Sequence, residues 1–449
     1  MQTIYNTVKP FDKLLKKQKI KSELKYRPMY YVIEQPVDEG LLLYHTMTKA
    51  MLLLTPEEAK TYKVNPKSLT ELIEQWFLVP EAHDDRQLSR QIRDVARMLE
   101  KKSDAITNYT IMTTTDCNAR CFYCFEKGRP RIHMTKDTAR RTADYIINHC
   151  KSEKVELTWF GGEPLFNKPI ISLICSHLKK AGIEYTSSMI TNGYLLDNEI
   201  VSETKELWHL NDVQITLDGT EQIYNRSKAY IYKDVNAYQH VISNIHLMQN
   251  AGIKVRIRLN IGMHNADDLL ALSKELHQEF SYPDGINVYI HALFEEQAGG
   301  QVISNKENRS IIYQKMSDIR TRLTEYGLTK LTKPRNKVIV NSCQADNDHC
   351  VVITPSGHIG KCEYYSNDHL IGHINQQELD GKMISLFKEK HEIKACIKCP
   401  LYPICIILQF CHEKHCYPEE QNDIIKKLRL KIIYAYQDYK KQYKDEIHN

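Results

Sequence analysis

The stretch DCNARCFYCFEKG, residues 116–128, decides how the rest of the chain is read. It carries Cys117, Cys121 and Cys124 in a CxxxCxxC spacing, directly after the β-rich run YTIMTTT. Three thiolates on one short loop can each take one iron of a four-iron cluster, and soft sulfur ligands suit that group. The fourth iron is then left without a protein ligand. Zinc is the alternative, but structural zinc takes four protein ligands, and no fourth Cys or His lies within this loop.

On both sides of the loop, short β-rich runs alternate with amphipathic stretches. YTIMTTT, VELTWF, EYTSSMIT, DVQITLD, KVRIRLNI and INVYIHAL predict six strands, with helices such as TKDTARRTADYIINHC and ADDLLALSKELHQEF between them. Strict alternation of this kind predicts parallel strands with helical crossovers, an α/β fold, and six strands suit a partial barrel. In KVRIRLNI the polar Arg256, Arg258 and Asn260 alternate with Val255, Ile257 and Leu259, so one face of that strand is charged. Inside a barrel such a face points at a ligand; on an edge strand it faces water.

The three-cysteine loop after a first strand, with Tyr123 directly before its last cysteine, resembles the radical S-adenosylmethionine (SAM) superfamily. That resemblance implies a partial (β/α)6 barrel. It also implies a [4Fe-4S] cluster whose open iron binds the amino and carboxylate groups of SAM, and whose electron splits a carbon–sulfur bond to give a deoxyadenosyl radical. Further segments match in order. Gly161-Gly162-Glu163-Pro164, in TWFGGEPL, is similar to the family's GGE motif, where backbone groups and a carboxylate receive the SAM ammonium; glycines allow the close approach and the carboxylate complements the cation. QITLDG resembles the family's SLDG-type segment and assigns a SAM contact to Thr216. The polar face of KVRIRLNI offers Arg258 and Asn260 as further SAM contacts, with Arg226 in YNRSK a weaker candidate, and Tyr123 of the cysteine loop is a further cofactor-binding candidate.

The 13 cysteines are many for a chain of 449 residues that has neither the shortness nor the even count of a disulfide scaffold. Eight of them crowd between Cys343 and Cys416, enough for two further four-iron clusters or a pair of zinc sites. Cys150 and Cys175 fall in amphipathic segments, where a buried inert thiol is expected. CVVITPSGHIGKC followed by CIKCPLYPIC is similar to the SPASM extension of peptide-modifying radical SAM enzymes. By that resemblance Cys343, Cys350, Cys362 and Cys411 hold one auxiliary cluster, and Cys396, Cys399, Cys405 and Cys416 the other, for three [4Fe-4S] clusters in all. Five residues instead of the usual three separate Cys405 from Cys411, which leaves the last ligand of each cluster open. Glu363 stands where relatives that mature sulfatases carry an aspartate proposed as a base, and a carboxylate there can take a proton.

Before residue 105, MYYVIEQ and LLLYHT around PVDEG predict a hairpin. Thr55-Pro56-Glu57-Glu58 predicts a capped helix start, LTELIEQWF a second helix, and Leu88, Ile92, Val95 and Leu99 the apolar face of a third. Hairpin, helices and the short FLVP run look like a winged-helix, PqqD-like element that binds leader peptides by strand addition. The expected organisation is a recognition domain over residues 1–105, a radical SAM barrel over 106–335, and a SPASM region with a C-terminal helix over 336–449. That last helix, with Ile425, Leu428, Ile432, Ala435 and Tyr439 at helical spacing, is expected to pack on the cysteine-rich region.

A net charge of +5 is too small over this length to imply a nucleic-acid or membrane role, although residues 1–27 hold eight basic residues against Asp12 and Glu23. No apolar run is long enough to cross a membrane and the N-terminus has no signal-peptide core, which reads as a soluble cytoplasmic protein. The function expected is maturation of a ribosomally made precursor peptide by an intramolecular crosslink, a cysteine thioether, fed by a reducing partner such as flavodoxin or ferredoxin. Formylglycine formation, carbon–carbon crosslinking and epimerisation are the alternatives.

Overall fold

A computed structural model describes the chain apart from residues 9–10, 12–14, 101–102, 152, 234–235, 282–283, 294–304, 336–342, 366–367, 412–413 and 449. Lys9 and Lys13 of the basic N-terminal run lie outside the described residues. The chain forms two compact units: one of Met1–Lys102, Leu331–Cys343 and Lys390–Asn449, the other of Ser103–Lys330 and Gln344–Glu389. The stretch 336–449, one segment in the sequence reading, is thus divided between them.

In the first unit, strands β1 (Gln2–Tyr5), β2 (Tyr26–Pro28), β3 (Val32–Val37), β4 (Gly40–His45), β5 (Met51–Leu54) and β6 (Leu78–Pro80) form two antiparallel sheets, ordered β1-β5-β4-β3 and β2-β6. The hairpin closes tightly with Val37 opposite Gly40, where φ is +143° and a Cβ would stand 2.0 Å from the Leu54 carbonyl oxygen, so only glycine fits. Side chains alternate across the larger sheet. Leu41, Leu43, Leu52 and Leu54 pack on one face against Tyr62, Leu72, Ile73 and Phe77. Leu42, Tyr44, Met51 and Leu53 pack on the other against Leu428, Ile432, Ala435 and Tyr436 of the helix Pro418–His448.

That helix therefore covers the N-terminal sheet as well as Leu401, Cys399 and Ile404 of the cysteine-rich segment, a wider contact than expected. The helix Pro56–Val64 begins with the expected capping box of Thr55 and Glu58. LTELIEQWF is helical only over Thr70–Glu74, because Trp76 turns into the left-handed region at φ 66° and sends Phe77, Leu78 and Val79 into the core, with Leu78–Pro80 pairing to β2.

In the second unit all six expected strands are present: β7 (Asn108–Thr114), β8 (Val155–Gly161), β9 (Tyr185–Thr191), β10 (Leu210–Thr216), β11 (Lys254–Ile261) and β12 (Ile286–Ala292). They lie side by side in chain order, every pair parallel, which is the sheet of a partial (β/α)6 barrel. The edge beyond β7 is extended by β13 (Cys350–Ile353), parallel to β7, and then by β14 (His358–Gly360) and β15 (Gly372–His373). Leu157, Trp159, Val213, Ile215, Val255, Ile257, Leu259 and Val288 on one face of the strands are essentially fully buried. The alternate positions carry Thr110, Thr158, Ser188, Gln214, Arg258 and Tyr289, a polar concave face on which Tyr289 donates to Gln214 Oε1 at 2.7 Å. Cys150 and Cys175 are 0% exposed in the helical layer, as expected of inert thiols.

Candidate active site

Strand β7 delivers the three-cysteine loop to the C-terminal end of the parallel sheet, the end where open α/β sheets place their sites. None of the 13 cysteines is disulfide-bonded. Burial pushes the Cys117 thiol up to about 12 and Cys124 up to about 11, and raises Cys121. Among the described residues no three His, Cys, Asp or Glu side chains are arranged to hold a single metal ion. Thiolates that each take a different iron of a cluster need not converge in that way.

The GGE segment lies directly against this loop. Gly162 N–H donates to Thr114 O and Glu163 N–H to Asp116 O, both at 2.9 Å. A Cβ on Gly161, where φ is +134°, would stand 2.0 Å from the Thr114 carbonyl oxygen, and one on Gly162 would stand 2.3 Å from that of Asp116. The glycines are required by the approach of the two strand ends. Glu163 is fully buried and accepts from Leu165 N–H (3.1 Å), Thr191 Oγ1 (2.8 Å) and Asn192 N–H (2.8 Å). Burial pushes its carboxyl up to about 7 against those hydrogen bonds. Asn192 Nδ2 in turn donates to Asn118 Oδ1 at 2.6 Å, so β8, the end of β9 and the cysteine loop are knitted together.

Thr216 and Arg258 are register partners on β10 and β11, and Arg258 is opposite Tyr289 on β12. Arg258 Nε donates to Asn260 Oδ1 at 2.9 Å. Arg256 is engaged elsewhere, in a two-pronged pair with Asp212, and Arg226 is exposed on the helix Glu221–Lys228. Glu363 receives a hydrogen bond from Gln344 Nε2, and Gln344 Oε1 accepts from Thr110 Oγ1 at 3.0 Å. Burial raises the Glu363 carboxyl, opposed by these hydrogen bonds and by the charge of Arg258. Through Gln344, Glu363 is thus tied to Thr110 on the polar face of the sheet. Phe160, Phe125 and Tyr364 stack in series at 6.4 and 5.7 Å, and Arg129 donates to Tyr364 O at 2.6 Å, tying the first cysteine loop to the segment that follows Cys362.

Tyr123 is turned inward. Its hydroxyl donates to Asp218 and accepts from Lys228 Nζ at 2.9 Å. Sequence reasoning assigned no role to Asp218 as a side chain or to Lys228 at all; an acid and a lysine ten positions apart give no spacing signal.

The auxiliary cysteines fall in both units. Cys350 opens β13 and Cys362 follows β14 in the barrel unit, where Lys361 Nζ donates to the Cys350 carbonyl at 2.6 Å. Cys396, Cys399, Cys405 and Cys416 belong to the first unit and stand near enough for their charges to interact; burial first and these neighbours second raise Cys399 to about 11. Cys343 and Cys411 also belong to the first unit.

The residues fit a cluster with SAM. Three thiols share one loop, the two glycines let the GGE segment pack directly against it, and two buried polar atoms of this region, Asn118 Nδ2 and Asp218 Oδ1, have no hydrogen-bond partner among the described residues and are suited to a polar ligand. Residues 111–276 match the family model of the radical SAM superfamily. The Fe-coproporphyrin III synthase of Methanosarcina barkeri is 26% identical over 167 residues, 37% of this chain and 40% of that protein, so the match spans well under half of that relative. A GTP 3',8-cyclase of Clostridium perfringens is 26% identical over 331 residues, 66% of this chain and 95% of that protein.

Among solved structures, native anSMEcpe with bound AdoMet and Kp18Cys peptide aligns at a TM-score of 0.55 with 16% identity, covering 74% of this chain and 99% of that one. Streptococcus suis SuiB bound to precursor peptide SuiA aligns at 0.51 with 13% identity, covering 85% and 94%. These two likenesses concern the fold. On its loop, its cradle and its matched span, the stretch from residue 111 to 276 is a radical SAM domain.

Proposed function

We propose that this chain is a radical SAM peptide maturase that crosslinks a ribosomally made precursor through a cysteine thioether. The observation that carries the reading is the convergence of the Cys117–Cys121–Cys124 loop, the Gly161–Gly162 cradle and Thr216 at the C-terminal ends of β7, β8 and β10. When bound, the cluster and SAM supply a deoxyadenosyl radical that abstracts a hydrogen atom.

The chain's own residues then have distinct tasks. The three cysteines hold the first cluster. Gly161 and Gly162 let the end of β8 close against the cysteine loop, which sets Glu163 beside the cluster site. Glu163 accepts its ammonium: a carboxylate offers about four acceptor positions, of which three are filled within the protein. Thr216, Arg258 and Asn260 line the polar face that receives the rest of SAM, and Tyr123 braces the loop. Glu363, its carboxyl raised by burial and held by Gln344, is the base that takes a proton from the substrate. The eight later cysteines hold two further clusters: Cys396, Cys399, Cys405 and Cys416 one, and Cys343, Cys350, Cys362 and Cys411 the other.

The precursor's leader adds as a strand at the outer edge of β3, where among the described residues only β4 is paired and where Pro36 sits as prolines do on edge strands. A flavodoxin- or ferredoxin-type protein delivers the electron. The fold likeness to structures that hold AdoMet and peptide supports this assignment.

The test is to incubate the anaerobically loaded protein, SAM, reductant and the peptide encoded beside its gene, and to analyse the peptide by mass spectrometry. Loss of two hydrogen atoms, with a fragmentation gap between a cysteine and its acceptor residue, is expected. An unmodified peptide alongside vigorous SAM cleavage would contradict the peptide assignment, and an oxidation confined to one residue would replace crosslinking by formylglycine-type chemistry.

A further inference from the structure

Lys228 ends the helix Glu221–Lys228, and its side chain is only 4% exposed. It grips the first cysteine loop on both flanks of Cys121. On one flank its carbonyl oxygen accepts from Arg120 N–H at 2.8 Å; on the other its ammonium donates to the Tyr123 hydroxyl at 2.9 Å. The ammonium is also paired with Asp218 Oδ2 at 3.0 Å, and Tyr123 donates to the same carboxylate. Asp218 is 0% exposed and Tyr123 7%. Asp218 is fixed in its turn, since Asn265 Nδ2 donates to its carbonyl at 2.7 Å. A second main-chain bond, Ile231 N–H to Asn118 O at 2.9 Å, runs beside the first.

A buried ion pair is a poor source of stability, because desolvation offsets most of the attraction and an apolar pair of similar volume often does as well. Its position is therefore what needs explaining, and that position is Cys121.

We propose that Lys228, with Asp218 and Tyr123, is a positioning residue that locks Cys121 in the geometry of a cluster ligand. The proposal rests on the reading that Cys117, Cys121 and Cys124 hold that cluster.

The experiment uses the full-length chain, anaerobically loaded with iron and sulfide, and follows iron release to a ferrous chelator. The phase belonging to the first loop is the one absent from a variant with Cys117, Cys121 and Cys124 replaced by Ala. Lys228→Met should release this phase at least about tenfold faster, since a charge-assisted bond on the loop is gone, while the remaining iron leaves at the wild-type rate. Lys228→Met leaves Asp218 unpaired and could unfold, so Lys228→Met with Asp218→Asn provides a neutral buried pair. It should release first-loop iron as fast as Lys228→Met does. Lys228→Arg should restore slow release. Wild-type release in the folded double variant would overturn the proposal. A wild-type chain with no phase dependent on the three cysteines would overturn the cluster reading itself.

Discussion

Glu163 ties the end of β8 to Thr191 and Asn192, and in the proposed function the same carboxylate meets the SAM ammonium. Burial holds its carboxyl at about 7, above the ordinary range. Below about 7 it is protonated, and a bound ammonium favours the ionised form. SAM affinity should therefore fall as pH drops below about 7, by up to about tenfold per unit, and Glu163→Gln should remove this component. Equilibrium SAM binding by the two loaded proteins across that range checks it; identical profiles would leave Glu163 a purely structural acid. Gly161→Ala should cost about 3 kcal/mol or more, because the new Cβ combines a positive φ with overlap on the Thr114 carbonyl. Thermal unfolding of the variant measures that cost. The three loop cysteines and the two glycines stand out in sequence because each group lies within one short segment. Asp218 and Lys228 are not, because their pairing depends on where a strand end and a helix end meet in space.

At the scale of elements, the six barrel strands are legible because each alternates one buried apolar face with one polar face, whereas β13 to β15 are too short to show a period. The second helix is misjudged because Trp76 breaks it to place Phe77 and Val79 in the core, a tertiary demand with no local signature. The cysteine-rich segment around Tyr402 is held by tertiary contacts throughout. Tyr402 is 3% exposed, lies 6.1 Å from Tyr31 in a stacked pair, and donates to Glu392, which Arg86 and Arg90 also engage. Thr46 Oγ1 adds a bond to the Pro400 carbonyl at 2.7 Å. Tyr402→Ala should destabilise this unit by about 3–5 kcal/mol, and Tyr402→Phe by about 1 kcal/mol. Denaturant melts of the two variants separate the ring's packing from the hydroxyl's bonds; equal, small effects would show that the segment is held elsewhere.

At the scale of the whole molecule, the N-terminal sheet is more than a separate recognition module, because its core is shared with Leu401 and with the helix Pro418–His448. Deleting residues 1–102 would expose that shared face. Iron should then drop from about 12 to about 8 atoms per chain, with Cys396, Cys399, Cys405 and Cys416 emptied. Leader binding is better tested by a proline placed in the leader strand that pairs with β3, which removes a main-chain donor and should weaken capture without touching the clusters. The shared core was not legible beforehand: the apolar stripe of the last helix announces that it packs, and only the fold shows against what. The central claim is that the loop of Cys117, Cys121 and Cys124 makes this chain a radical SAM enzyme. The most direct measurement is 5'-deoxyadenosine released from SAM by the iron-loaded full-length protein, with and without reductant, beside the variant in which those three cysteines are Ala. Reductant-dependent release by the wild type and none by the variant is expected; equal release by both, or none by a fully iron-loaded wild type, would contradict it.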